Sequence, residues 1–167
     1  MTSVLMTPDG KTVEAEAARD LVRAEEPDLL AEGRLLHVAV PLGNGRQLLP
    51  LLTYYGYSGA RSGNLQAKRL NEGGLAQVLR YAAALGNVPI VFGGDLNDEP
   101  VTSPTLDCAL ASGSWRDAAL LEAEKTEPPA VPAPTYCVGG CASRVDIALL
   151  NEAAAVAFDR AWVGEAE

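Results

Sequence analysis

Val88-Pro89-Ile90-Val91-Phe92-Gly93-Gly94-Asp95-Leu96-Asn97-Asp98-Glu99-Pro100, "VPIVFGGDLNDEP", is the stretch on which the reading of this chain turns. Residues 88–92 are apolar and largely β-branched, the composition of a strand buried in the middle of a sheet. The run stops at Gly93-Gly94, and three acidic residues and an amide follow within five positions. Residues two apart on a strand tip point the same way, so Asp95 and Asn97 share a side. A carboxylate beside a carboxamide can orient a water and hold a phosphoryl oxygen. Glycines without side chains let backbone or substrate come close. A turn accounts for the same residue types, because Gly, Asp, Asn and Pro all form turns. A calcium loop does not: Asp95, Asn97 and Glu99 match its first three ligand positions, but Pro100 stands where glycine is required and Leu106 where the final glutamate belongs.

Working outward, residues 66–85 predict a helix, with Leu70, Leu75, Val78, Leu79 and Ala82 near one face. Gly73-Gly74 weaken its middle and Gly86-Asn87 end it. Before it, "RLLHVAVPL" and "RQLLPLLTYYG" predict two strands joined through Gly43-Asn44-Gly45, with Pro50 implying an edge position or a bulge. Residues 11–26 predict a helix from Val13, Ala17, Leu21 and Ala24, stopped by Pro27. After the acidic loop, 103–112 predicts a short helix and "LLEAEKTEPPAVPAP" an exposed connection. "RVDIALLN" predicts a strand with Asp146 inside it and at least partly buried, while "EAAAVAFDRAWV" reads as strand or short helix. Strand, helix, strand around residue 75 gives an α/β class, an α+β layered sandwich.

A chain of 167 residues is one domain by length and buries a sizeable core. A net charge of −9, with no Lys/Arg-rich block, disfavours non-specific grip on long nucleic acid. Cleavage of nucleic acid through a bound cation stays open. "MTSVLMTPDGK" has no basic leader, and no apolar run approaches a membrane span, so an intracellular chain without membrane contact is expected. Cys108, Cys137 and Cys141 form no even framework, and with His37 the only histidine they read as reduced thiols rather than a zinc site.

Asp146 sits among Val145 and Ile147-Ala-Leu-Leu, and a buried carboxylate needs a partner. A local ion pair is one reading, with neighbouring Arg144 a weak candidate. A carboxylate that orients a histidine is the functional alternative. His37 lies in an apolar strand and reads as a hydrogen-bonded core residue. Tyr54, Tyr55 and Tyr57 cluster at a strand end, as packing residues or as phenol donors to a phosphate.

In order, "LLTYYGYSGA", a helix, "VPIVFGGDLN", "SWRDA", "PTY" and "SRVDIALLN" resemble the endonuclease/exonuclease/phosphatase superfamily, the DNase I-like fold. The resemblance covers about residues 33 to 163, and the Gly-Asp-Leu-Asn and Ser-Arg-Val-Asp elements carry it together. It implies a partial DNase I-like fold, a mixed β-sheet flanked by helices, over 33–167, with a helical segment over 1–32. It also implies metal-dependent hydrolysis of a phosphoester, nucleic acid included, with Mg2+ or Mn2+ as cofactor. Asp95 would orient or activate the attacking water, Asn97 would bind the scissile phosphate, and Tyr55 would contact it. Asp146 would pair with an active-site histidine, and Thr135 and Arg144 would support substrate binding.

The pattern is incomplete. No early Asn-bearing strand or Gln-Glu element precedes residue 33, and Glu32 lies two residues too near Pro27 to serve as the metal-binding glutamate. "WVGEAE" ends without the family's histidine. A truncated domain, weakly active or inactive alone, is therefore expected, with a non-catalytic binding or scaffold remnant of the same fold as the alternative. Self-association or a partner chain at exposed sheet edges follows from the same reasoning.

Overall fold

The parallel pair at the centre of the fold is built by one crossover. Strand β3 (Leu35–Leu42) turns back into β4 (Gln47–Tyr55) as an antiparallel hairpin, and helix α1 (Leu65–Ala84) then carries the chain to β5 (Val91–Asp95), parallel to β4. Strand β9 (Asp146–Asn151) pairs antiparallel with β5, and β6 (Trp115–Asp117) with β9, giving the order β3-β4-β5-β9-β6. This is a mixed sheet flanked by helices, the class expected. The computed structural model describes residues 4–6, 12–14, 28–42, 47–138 and 140–161.

Helices cover both faces. On one face α1 and α2 (Pro104–Ala111) bury Leu75, Val78 and Leu106 against Leu52, Phe92 and Leu149. On the other, α3 (Ala118–Ala123) and α4 (Glu152–Ala155) bury Ala118 and Ala154 against Leu150 and Val91. The caps follow local chemistry. Asn64 Oδ1 accepts from the amides of Gln66 (3.0 Å) and Ala67 (3.1 Å), and Ser103 Oγ accepts from Leu106 N–H at 3.3 Å before Pro104. Gly86, at φ 85°, follows α1 as the left-handed residue that ends a helix.

Several expectations need correction. The central strand starts three residues later than its apolar run. Pro89 has no N–H to give a ladder, and the Asn151 side chain holds this entry segment instead, donating to Val88 C=O at 2.7 Å and accepting from Ile90 N–H at 2.9 Å. Gly93, Gly94 and Asp95 then join the ladder; a Cβ on Gly94 would overlap the Tyr54 carbonyl. Thr12–Glu14 is not helical: it forms β2, antiparallel to β1 (Val4–Met6), in keeping with β-branched Thr12 and Val13. The rest of that predicted helix, and the turn at 43–46, lie outside the described residues. The expected connection over residues 120–134 starts inside helix α3, which Asp117 Oδ1 caps through Ala119 N–H at 2.9 Å. The segment left open as strand or helix starts as α4. Pro50 sits where β4 pairs with β3 alone, since the ladder to β5 begins at Leu51, so it occupies an edge on that side.

Candidate active site

Strand register brings the site together. Tyr55 is the Cα partner of Asp95 across β4 and β5, and Asp95 is the Cα partner of Asp146 across β5 and β9. Residues directly opposed in a ladder point to the same face, with Cα atoms roughly 4.5–5.5 Å apart in an antiparallel pair. Tyr55, Asp95 and Asp146 thus form one row on the face that α3 and α4 cover farther along. Near the row that cover ends: Tyr55 and Asp146 are exposed and Asp95 half-buried. Asp146 was expected to be partly buried inside its strand. It is instead the first residue of β9, beyond the reach of the helices.

The loop after β5 turns sharply back. Asn97 adopts a left-handed backbone, φ 51°, and its N–H donates to Asp95 Oδ1 at 2.7 Å. Its side-chain amide donates to Gly56 C=O at 3.1 Å, and Gly56 N–H donates to Asp95 C=O at 2.7 Å. A Cβ on Gly56 would overlap the Leu96 carbonyl, so the end of β4 and this loop touch only because residue 56 is glycine. Arg34 closes the same end, its Nη1 donating to Tyr55 and Gly56 carbonyls at 3.1 Å each.

A second group of contacts fixes the start of β9. Thr135 Oγ accepts from Val145 N–H (3.1 Å) and Asp146 N–H (3.0 Å). The Arg144 guanidinium pairs with Asp117 Oδ2, and its Nε donates to the Asp146 carbonyl at 3.3 Å. Arg144 therefore holds Asp146 by its backbone and leaves the carboxylate alone. Across the loop, Arg61 N–H donates to Asn97 C=O at 3.2 Å while its guanidinium stacks 4.9 Å from the Tyr136 ring centroid.

Sequence reasoning missed three residues here. Asn71, 2% exposed, reaches from α1 into the site's underside: Nδ2 donates to Leu96 C=O at 2.8 Å and Oδ1 accepts from Tyr57 N–H at 2.6 Å. The available signal was an amide in register with Leu75 and Val78 on the buried stripe. Asp117 and Arg61 carried no such signal, because their partners lie far along the chain.

Other candidates fall elsewhere. His37 pairs with Leu52 and so faces the opposite side of the sheet from Asp146. Its Nδ1 shares a hydrogen bond with Tyr81 Oη at 2.7 Å, and burial lowers its pKa. Asp98 is buried and turned inward, its Oδ1 accepting from Glu99 N–H at 2.9 Å and its Oδ2 3.7 Å from Lys68 Nζ. Glu32 accepts from Tyr57 Oη at 2.8 Å, away from the row. Burial, then this bond, raises the Tyr57 pKa. The three cysteines are exposed and free.

Among the described residues no three His, Cys, Asp or Glu side chains gather as a metal cage. Zinc and calcium, which need larger protein ligand sets, do not fit. Magnesium takes one or two carboxylates and completes its shell with water and substrate phosphate, and the Asp95–Asp146 pair meets that minimum. Among the described residues no helix is long and apolar enough to cross a membrane.

No family model matches the chain, and no curated protein does. Among solved structures, the human Nocturnin catalytic domain with bound sulfate anion is similar, with a TM-score of 0.52 at 15% identity, over 71% of this chain and 41% of that one. The chain thus spans about two fifths of that structure's length. At this identity the likeness is one of fold: a mixed sheet flanked by helices.

Proposed function

We propose that this chain carries the phosphate-handling part of a divalent-cation-dependent phosphoester hydrolase of the endonuclease/exonuclease/phosphatase kind. The observation that carries the reading is the row Tyr55, Asp95, Asp146, three strands deep on one open face. Mg2+ or Mn2+ held by the two carboxylates would neutralise charge developing on the phosphate oxygens. Asp95 has one carboxylate oxygen fixed by the Asn97 N–H, which leaves the other to orient the attacking water. Asn97 gives one amide hydrogen to Gly56 and keeps the second for a phosphoryl oxygen. The Tyr55 phenol donates to the same phosphate. Thr135 and Arg144 act as positioning residues, since both grip the backbone at Asp146.

Turnover by this chain alone is expected to be weak or absent. Asp146 has no histidine to orient, because His37 lies on the other face. Hydrolysis of bis(4-nitrophenyl) phosphate, and of duplex DNA with and without an abasic site, would be followed with Mg2+ and with EDTA. Asp95→Ala should lower any Mg2+-dependent rate by orders of magnitude. A rate that survives both Asp95→Ala and Asn97→Ala refutes the assignment.

The second reading, a non-catalytic binding domain on the same fold, draws on one feature. Strand β3 exposes Leu36 (53%) and Val38 (43%) at the sheet edge, on the same face as the row. Self-association seen by light scattering, with no Mg2+ affinity at Asp95, would favour it; a monomer with Asp95-dependent turnover would remove it.

A further inference from the structure

Beside Asp146 the sheet face opens into a pocket of about 570 Å³ between α3 and the proline-rich segment before Thr135. Its volume lies in the range of sites that enclose small molecules. The walls are methyl and methylene groups, among them Ala118, Ala123, Ala148, Val131, Pro132 and Ala133. Val131 is an apolar side chain 89% exposed at the rim.

The polar groups in the wall are already committed to one another. Glu122 Oε2 accepts from Lys125 Nζ at 2.9 Å and from Ala161 N–H at 3.0 Å. Lys125 also donates to the Asp159 carbonyl and lies 4.7 Å from the Phe158 ring centroid. Thr126 Oγ donates to Ala123 C=O at 3.0 Å and accepts from Ala130 N–H at 2.8 Å. Thr135 accepts from two backbone N–H groups and Arg144 is held by Asp117 and the Asp146 carbonyl, as described above. Among these side chains only the Asp146 carboxylate, at the end facing the row, lacks a partner. A nucleobase placed here would find few free groups to replace its hydrogen bonds to water, and among the described residues no aromatic side chain lines the pocket for it to stack on. An alkyl group loses nothing comparable.

We propose that this pocket binds the apolar ester group of a small phosphoester whose phosphate sits at the Asp95–Asp146 row. The substrate class is then an alkyl-bearing phosphoester rather than a polynucleotide. The phosphate half of this inference rests on the reading given under Proposed function; the apolar half rests on the pocket alone. The test is calorimetric titration, with Mg2+ present, of ethyl, butyl and hexyl phosphate below micelle-forming concentrations. Inorganic phosphate, adenosine 5′-monophosphate and hexanol serve as comparisons. Affinity should rise roughly three- to fourfold per methylene, as burial of each CH2 requires. Ala148→Trp, from the sheet side, should flatten that series, and Ala119→Trp, from α3, should do so independently if the first variant folds poorly. A flat series in the unmodified chain, or tighter binding of adenosine monophosphate than of hexyl phosphate, overturns the pocket assignment and leaves Asp95-dependent hydrolysis to stand or fall separately. Hexanol binding as tightly as hexyl phosphate keeps the pocket but overturns the phosphate half.

Discussion

Asn71 is the sharpest test of how the site is supported. Replacing it with leucine keeps the volume and removes its two short hydrogen bonds, one to the buried Leu96 carbonyl at 2.8 Å and one from Tyr57 N–H at 2.6 Å, together with two long ones at 3.5 Å, from Tyr54 Oη and to Tyr57 C=O. A buried polar group left without its partner costs about 1–3 kcal/mol. Tyr57 N–H is only part-buried, so water recovers some of its loss, and the sum comes to about 3 kcal/mol. For a chain of 167 residues that lowers Tm by roughly 6–12 °C. Urea unfolding at constant m-value reads the free energy directly. Asn71→Asp separates the two bonds, because it keeps an acceptor for Tyr57 and loses the donor to Leu96. Its defect should shrink between pH 8 and pH 5, since a protonated carboxyl regains that donor. A loss below about 1 kcal/mol for Asn71→Leu would mean that Asn71 does not hold the loop between Asp95 and Asn97.

Adjacent glycines in α1 should behave oppositely. Gly73→Ala meets open space and should stabilise by about 0.5–1 kcal/mol, whereas Gly74→Ala drives a methyl into the Tyr54 phenol and should destabilise; chemical denaturation reads both. Burial lowers the His37 pKa from 6.5, so the unfolded chain binds that proton more readily. Stability should therefore fall as pH drops below about 6.5 and level off beneath the folded-state value, and His37→Phe should flatten this part of a Tm-against-pH profile. Asn151→Ala removes the cap on α4 at 3.0 Å together with the clamp on Val88 and Ile90, and should cost about 2–3 kcal/mol by urea unfolding.

The sequence made the central frame readable because its signals are local. Two glycines ending an apolar run mark a strand tip, and an apolar stripe from Ala67 to Ala82 marks α1 whatever surrounds it. Strand register is not local. That Tyr55, Asp95 and Asp146 share a row depends on two ladders, and only the resemblance of "GDLN" and "SRVD" to a known pattern pointed there. The exposure of Asp146 was misread because an aspartate before Ile147 looks buried; the face it occupies is uncovered only because α3 and α4 end short of it. Helix α3 was hidden by the acidic and proline-rich composition that follows it, although Asp117 is a good N-cap.

The topology explains why the side chains of the row meet. Parallel β4 and β5 end at the same edge of the sheet, and antiparallel β9 begins there, so any residues at those three positions meet regardless of their separation in sequence. Ligand sites in open α/β sheets collect at carboxyl ends of strands for this reason. The supporting contacts here act on backbone. Asn71 and Gly56 fix the ends of β4 and β5, while Thr135, Arg144 and Asp117 fix the start of β9. None of them touches the carboxylate of Asp146. A ladder that sets two acids opposite each other works against its own stability. On the proposed reading a bound cation would reverse the sign of that interaction, and the clamps on either side keep the two acids in register.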